Sequence, residues 1–451
     1  MDVVIIGAGN VGYTIAEALS RLHNITVVDI DERRISYVQE SLDVATLHAN
    51  GASPAVLQGI VGPSTRMFLA VTKSDETNLF ACMAAKAISP GAQTVAQVRD
   101  SDYIFRPLAE GPLLGADHII APELLTADKM VQIARLENAI DYEGLEDMDL
   151  LVVTFEVKRE NELILSKAIT ALHLPGLVSI LAIYRGDEVL ALDESPQLQV
   201  GDLLCVLGKR EGIEQFNRLM GIAREARDFV ILGGGIIGRR IAQQLEGDRA
   251  SVRLLERDEE RCHALSRDLS HTLVLNVDAL DPRAMRQENV GAADVLLSAT
   301  DSDEKNLLAC LVAQQLGTRR VVSRYSCREY EDVFSMTRMH GAIGYHRVVA
   351  NEVTKKMVSD EITILQMRHG GEYFFSIILN AECGLAGTPL GEIRMPEGSR
   401  IVAIVRDGEA RFPLSDTPLL LGDKLLIYAY ETKMARIEKL FRTAVEESMG
   451  A

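Results

Sequence analysis

Two stretches of this chain repeat one pattern. Val3 to Leu19 reads VVIIGAGNVGYTIAEAL and Phe229 to Leu245 reads FVILGGGIIGRRIAQQL: an apolar strand, a glycine-rich turn, then an amphipathic helix. The correspondence continues downstream. VVDIDERR (27–34) answers LLERDEER (254–261), and VTKSDETN (71–78) answers ATDSDEKN (299–306), at an offset that stays near 226–228 residues. A second pair, LHLPGLVSILAIYRG (172–186) and IRMPEGSRIVAIVRDG (393–408), repeats at an offset of 221, and Gly201-Asp202 answers Gly422-Asp423. A fixed long offset restricts the fold to tandem copies of one arrangement. The order is A-B-A′-B′, which we divide at 1–138, 139–222, 223–357 and 358–451.

The A units alternate short apolar strands with longer helical patterns. In the first copy the strands fall at 2–7, 25–29, 67–71, 93–98 and 117–120. Such alternation predicts an α/β fold, a doubly wound parallel sheet of the Rossmann type with helices on both faces. The B units read as small α+β domains, in which two β-rich stretches flank a short amphipathic segment (161–172; 384–394). A helix ending near Arg135 to Ala139 joins A to B, with 347–358 as its counterpart. Asp202 and Asp423 read as turn residues between strands.

Composition then removes whole classes of function. The formal net charge is −18, and the longest basic runs are pairs such as Arg319-Arg320 and Lys355-Lys356. An acidic surface repels phosphate backbones, so no nucleic acid is expected as a partner. With no Trp and 5 % aromatic residues, stacking platforms for bases are scarce. No apolar run reaches the roughly 18 residues of a membrane span, and the first strand begins at once, without a signal-peptide pattern. The six cysteines (82, 205, 262, 310, 327, 383) form no C-x-x-C, and the nine histidines form no zinc motif. That pattern suits a reducing cytoplasm and no metal.

The chemistry lies in the turns. Gly7-Ala8-Gly9-Asn10-Val11-Gly12 is G-x-G-x-x-G between a strand and a helix. The first glycine makes the tight turn, the second lets a pyrophosphate approach the backbone, and the third lets helix and strand pack closely. Phosphate then sits on free N–H groups at a helix N-terminus. Asp29, at the end of the second strand, is placed to accept hydrogen bonds from ribose hydroxyls and to repel a 2′-phosphate. The site is expected to prefer NAD(H) or an adenine nucleotide over NADP(H). The second copy offers Gly233-Gly234-Gly235-Ile236-Ile237-Gly238 with Glu256 in the acidic position.

Thr72, Asp75, Glu76 and Asn78 recur as Thr300, Asp303, Glu304 and Asn306, each set opening a helix on the ligand edge of its sheet. Helix capping and proximity to a ligand both account for them. The helical runs Leu79 to Ile88 (LFACMAAKAI) and Leu307 to Leu316 (LLACLVAQQL) are apolar around much of their circumference. They require burial on more than one side, in a core or at an interface between subunits.

The tandem order, the paired fingerprints and the S-D-E-T-N-like segments resemble the TrkA family, the cytosolic regulatory subunits of Trk-type potassium uptake systems, across nearly the whole chain. The resemblance implies RCK (KTN) domains followed by RCK-C (TrkA-C) modules. It implies a homotetrameric gating ring at the cytoplasmic face of the membrane, beneath a TrkH-like potassium-translocating subunit, with no transmembrane segment of its own. It implies binding of NAD(H) and of ATP or ADP, with nucleotide exchange controlling the pore. Carried over by motif position, the first site would use Gly7 to Gly12 and Asp29, with Asn50, Gly51, Thr72 and Lys73 along the base and ribose. The second would use Gly233 to Gly238 and Glu256, with Asp278, Ala279, Thr300 and Asp301. The family often has an arginine, available for terminal phosphates, two residues before Arg99. Here that residue is Gln97. Registering Tyr103 on Tyr330 places Arg324 opposite Gln97, so the second copy keeps the cation. Arg99 remains a phosphate candidate in the first.

Two other classes fit less well. An NAD-dependent oxidoreductase needs an acid/base group near the nicotinamide, and the B units carry only His173 and His369, at non-matching positions. A redox-sensing DNA regulator would need a basic recognition element, which is absent from the sequence.

Overall fold

The computed structural model describes residues 1–451 except 21–22, 101–102, 105–113, 146–147, 173, 187, 191, 193–194, 222–224, 248–249, 338, 357–363, 367–371 and 443–451. His173, His369 and the junctions expected at 223 and 358 lie outside the described residues. In chain order, the first copy of A runs β1 (Asp2–Ile6), α1 (Asn10–Leu19), β2 (Asn24–Asp29), α2 (Glu32–Ser41), β3 (Ala45–His48), α3 (Pro54–Ile60), β4 (Thr65–Ala70), α4 (Asp75–Ile88), β5 (Gln93–Gln97), β6 (His118–Ile120) and α5 (Pro122–Arg135). The first B module follows as β7 (Ala139–Leu145), β8 (Leu150–Glu156), β9 (Val178–Arg185), β10 (Glu188–Leu190), β11 (Leu203–Gly208) and α6 (Arg210–Leu219).

The second copy of A has β12 (Asp228–Leu232), α7 (Ile236–Glu246), β13 (Ser251–Glu256), α8 (Glu259–Asp268), β14 (Thr272–Asn276), α9 (Pro282–Gln287), β15 (Val295–Ser298), α10 (Asp303–Leu316), β16 (Arg320–Tyr325), α11 (Glu331–Met336), β17 (Gly341–Gly344) and α12 (Tyr345–Lys356). The last module has β18 (Ile364–Gln366), β19 (Glu372–Ile378), β20 (Arg400–Arg406), β21 (Glu409–Arg411), β22 (Lys424–Tyr430) and α13 (Met434–Arg442). The chain forms two compact units: Met1–Val131 with Arg227–Met357, and Gln132–Ala226 with Val358–Ala451.

In the first unit the two sheets have the orders β3-β2-β1-β4-β5-β6 and β14-β13-β12-β15-β16-β17, with every pairing parallel. This is the Rossmann order, which reverses direction at the first strand of each half and so opens a crevice there. Continuous apolar strands such as VVII and FVIL are buried on both faces, as a helix-covered parallel sheet requires. The edge strands β3 and β14, not expected from sequence, complete the sheets. Both are short; β3 (ATLH) is largely exposed and carries no apolar run, while β14 (TLVLN) is partly buried and carries one of only three residues.

The halves exchange packing. Tyr345, Val349, Ala350 and Val353 of α12 join the core formed by β1, β2 and α1 of the first half. Conversely, Asp128 of α5 accepts hydrogen bonds from Arg240 (3.2 Å) and Gln244 of α7.

In the second unit both sheets are antiparallel, with the matching orders β10-β9-β11-β8-β7 and β21-β20-β22-β19-β18. The two modules share one core, in which Leu150, Leu181 and Leu207 of the first meet Phe374, Val402 and Leu426 of the second. The segments expected as amphipathic elements hold only 3₁₀ turns, Ile169–Ala171 in one and Leu390–Glu392 in the other. Ser166 sits at φ +61°, a left-handed conformation that interrupts a helix. The helices come instead after the last strands, as α6, with Ile213 and Phe216 buried, and α13, with Ile437 and Phe441 buried. Asp202 and Asp423 do hold turns, each nearly fully buried. Asp202 takes Arg185 Nε and Nη2 at 2.8 Å each, and Asp423 takes Arg406 in the same way.

Candidate functional site

Each half of the first unit builds one crevice at the turn from its first strand into its first helix. Gly7 stands at φ +109° and Gly233 at φ +94°, a region that costs other residues strain. At Gly12 a Cβ would lie 1.8 Å from the Gly7 carbonyl oxygen, and at Gly238 a Cβ would lie 1.9 Å from that of Gly233. Only a bare backbone lets the helix approach its strand this closely.

The two helices that leave these turns are capped differently from their neighbours. Asp31, Ser74, Asp258 and Ser302 each cap a following helix with a side-chain oxygen. At α1 and α7 the cap residues are Gly9 and Gly235, which have no side chain to give. The first N–H groups of a helix have no intrahelical acceptor, and the positive end of its dipole points the same way. Both helices therefore present bare donors to an anion.

A carboxylate stands beside each turn. Asp29 Oδ2 accepts from the Ala8 amide at 2.6 Å and Oδ1 from Asp31 at 2.8 Å. Glu256 repeats this on Gly234 at 2.8 Å and Asp258 at 2.9 Å. Burial raises the Glu256 pKa, but the Asp258 and Gly234 amides and the Arg261 guanidinium outweigh it and hold the carboxyl below the usual range. Asn50 and Asp278 occupy matching turns, accepting from the amides two residues on at 2.9 and 3.0 Å. Gly51 is pressed against Ile6, and Ala279 takes its place in the second copy.

A third pair of elements closes the edge. Thr72 N and Oγ1 donate to Asn78 Oδ1 at 2.9 and 2.7 Å, while Asn78 Nδ2 reaches Thr72 O and Gln97 O. Asn306 does the same with Thr300 and with Arg324 O. These asparagines, both fully buried, each clamp the ends of two neighbouring strands, the fourth and fifth of their half. Gln97 and Arg324 thus occupy one position in the two copies. Asp75 and Asp303 accept from backbone amides of the loop after the fifth strand, at 2.7–3.0 Å. Asp75, Asn78 and their counterparts are therefore occupied by the protein's own backbone, and the capping itself falls to Ser74 and Ser302. Lys73 and Asp301 are exposed at the rim.

In the second half these residues surround a cleft of about 950 Å³. Every residue expected there from sequence lines it except Gly238, which is spent on packing. Sequence reasoning missed Arg261, Lys305 and Glu123. The first two follow the motif residues on helices α8 and α10, while Glu123 comes from the other half of the unit and has no signal in the local sequence. Arg324 is 8 % exposed. It donates from Nε to Thr300 O at 2.8 Å and from Nη1 to Ser326 Oγ at 2.7 Å, both neutral acceptors. Burial lowers its pKa, against the pull of Asp303. In the first half Gln97 carries no charge, and Arg99 lies with Nε 3.8 Å from Glu123 Oε1.

Residues 3–122 and 229–349 match the family model of the TrkA-N domain, and residues 374–442 match that of the TrkA-C domain. A Trk system potassium uptake protein TrkA homolog from Archaeoglobus fulgidus is 33% identical over 443 residues, spanning 98% of this chain and all of the relative. A second, Trk system potassium uptake protein TrkA homolog 1 from Methanosarcina mazei, is 31% identical over 451 residues, with 98% of this chain and all of the relative covered. Among solved structures, a GsuK channel bound to NAD superposes with a TM-score of 0.61 at 19% identity, over 98% of this chain and 78% of that one. At that identity the likeness establishes a common fold.

Proposed function

The chain belongs to the TrkA family, and on that premise we propose that it is a nucleotide-sensing regulatory subunit of a Trk-type potassium uptake system. The observation that carries this reading is the duplicated crevice: an uncapped helix N-terminus beside a carboxylate that already holds the turn amide. The first donors suit a pyrophosphate, and the remaining carboxylate lone pairs suit ribose hydroxyls. NAD(H) and ATP or ADP share both features. The NAD-bound GsuK neighbour, built on the same fold, adds support.

The two crevices differ in charge. Arg324 is a buried cation whose hydrogen bonds go to neutral groups, and an anion in the second cleft would add to the neutralisation that Asp303 begins. Gln97 offers nothing comparable, and Arg99 faces a carboxylate. We therefore assign the terminal phosphates of ATP or ADP to the second site and the less charged dinucleotide to the first. The protein acts by binding and not by catalysis. Its output is a change of shape passed to a membrane subunit of the TrkH type, from the cytoplasmic side. No helix among the described residues is long and apolar enough to cross a membrane.

The oligomeric ring is part of the same proposal. Phe80 and Met83 of α4 are 40% and 43% exposed, and Leu308 and Leu311 of α10 are 51% and 41% exposed. Both faces repeat at one position in the two halves and suit burial against further copies, in a homotetramer.

Calorimetric titration with NADH, NAD, ATP and ADP tests the core of this reading, in the wild type and in Asp29→Ala and Glu256→Ala. Charged hydrogen bonds are worth about 1.5–3 kcal/mol, so each substitution should weaken its own site by roughly tenfold or more and leave the other intact. Potassium flux through the membrane subunit should then follow occupancy. Failure of all four nucleotides to bind would remove the sensor reading.

A further inference from the structure

A short run of chain joins the two crevices. Arg324 lines the second cleft, and its Nη1 donates to Ser326 Oγ at 2.7 Å. The Ser326 carbonyl, in turn, accepts from Asn10 Nδ2 at 2.8 Å, and Asn10 is the first residue of α1, inside the first fingerprint. The Ser326 amide donates to both Asp303 oxygens, at 3.0 and 2.9 Å, and the Cys327 amide donates to Oδ2 at 2.7 Å. One residue on, the Arg328 guanidinium lies 4.2 Å from the Tyr13 ring centroid and donates to Glu17 Oε1 at 2.7 Å, both on α1.

Residues 324–328 therefore have one end in the second crevice and the other on the helix that forms the first. The middle is fixed to Asp303, at the start of α10. A segment held this way has little freedom to move one end alone. The Asn10 contact has no counterpart in the second copy. Ile236 stands where Asn10 stands in the first copy, and its side chain, 47% exposed, has no donor. Generic packing of two like halves would give the contact in both directions.

We propose that Ser326 couples the two nucleotide sites: a ligand drawn onto Arg324 shifts the Ser326 hydroxyl and, through its carbonyl, the Asn10 end of the first phosphate loop. This rests on the reading of both crevices as nucleotide sites. Coupling of this kind is a free energy shared by the two sites, so each ligand must change the affinity of the other by the same factor.

The test titrates ADP into the intact protein at increasing fixed NADH, then NADH at increasing fixed ADP, by calorimetry. The expected result is a change in affinity of about fivefold or more that levels off as the second ligand saturates and is equal in both directions. Ser326→Ala, which removes the hydroxyl contact with Arg324, should bring that factor toward one while each ligand alone still binds. Arg328→Gln, which frees α1 without touching either crevice, should reduce it as well. Two-site binding with no mutual effect overturns the relay and leaves the sites standing. So does a mutual effect that both variants leave unchanged. A shift that grows without limit is competition for one crevice and also overturns it. Absence of all binding is distinct, because it removes the nucleotide reading and the relay together.

Discussion

The Tyr345 hydroxyl, at the start of the last helix of the second Rossmann half, donates a 2.9 Å hydrogen bond to Oε1 of Glu123, at the start of the last helix of the first half. The other oxygen, Oε2, is buried without a hydrogen-bond partner among the described residues. Burial first, and the Glu123 charge second, push the Tyr345 phenol far above its ordinary range, so it stays a donor at any physiological pH. Removing it strands a carboxylate that already lacks one partner. Tyr345→Phe should cost about 1–3 kcal/mol in urea unfolding. Glu123→Leu combined with Tyr345→Phe should recover much of that loss, because the second change removes the stranded group. A double-mutant cycle reads the interaction directly.

Gly12→Ala and Gly238→Ala should each destabilise by roughly 1–3 kcal/mol or more, since the added carbon meets a backbone oxygen that cannot rotate away. Gly59→Ala supplies the control. It lies in α3 with open space around its missing Cβ, so it should be neutral or stabilise by about 0.5–1 kcal/mol. Thermal unfolding of the three variants distinguishes close packing from a general intolerance of larger residues.

The Rossmann halves were legible because two independent periodicities agree there. A strand such as VVII and the glycines after it allow one local path, and its repetition as FVIL and GGG removes accidents. The register of Gln97 on Arg324 was legible too, through Tyr103 and Tyr330. What the sequence hides are contacts made across the fold. Glu123 sits on a helix of the first half yet lines the cleft of the second, and no motif near Gly233 announces it. The edge strand β3 is largely exposed, so it lacks the apolar run by which strands are found. In the B modules, the segment around Ile169 has apolar spacing suited to a helix, but Ser166 turns the chain left-handed and only a 3₁₀ turn forms.

His346 gives a pH dependence with a definite sign. It is 1 % exposed, and burial, with the Arg347 and Arg328 charges next, lowers its pKa to about 4, against the pull of the Ser326 backbone and Glu329. The unfolded chain takes up this proton near pH 6.5, the folded chain only near 4. The stability this group contributes is therefore complete above pH 6.5 and falls as the pH drops toward 4. His346→Gln should flatten the stability profile across that window. Urea midpoints measured from pH 7.5 down to 4.5 compare the two slopes.

Asp423 has the opposite chemistry in the second unit. Burial raises its pKa, but the paired Arg406 hydrogen bonds, the Leu420 amide and the Arg406 charge outweigh it, so the carboxyl titrates below 3.8. Its contribution is present above the unfolded value and disappears only as the pH falls through the lower folded one. Asp423→Asn should cost about 1.5–3 kcal/mol at pH 7. Its unfolding free energy should approach that of the wild type in strong acid. Near-neutral and acid denaturation curves, followed by tyrosine fluorescence, report both effects.

In the proposed ring, the paired apolar faces on α4 and α10 set the valence of the chain. A monomer with a single sticky patch stops at a pair, and one with three can branch into a gel. With these two like patches, around Met83 and around Leu311, the proposed assembly closes into circles or runs on as unending threads, and the angle between the patches chooses which. Duplication within one polypeptide thus halves the number of separate chains a circle needs. Met83→Glu should reduce the valence to one and halt growth at two chains, a limit that sedimentation velocity would register directly.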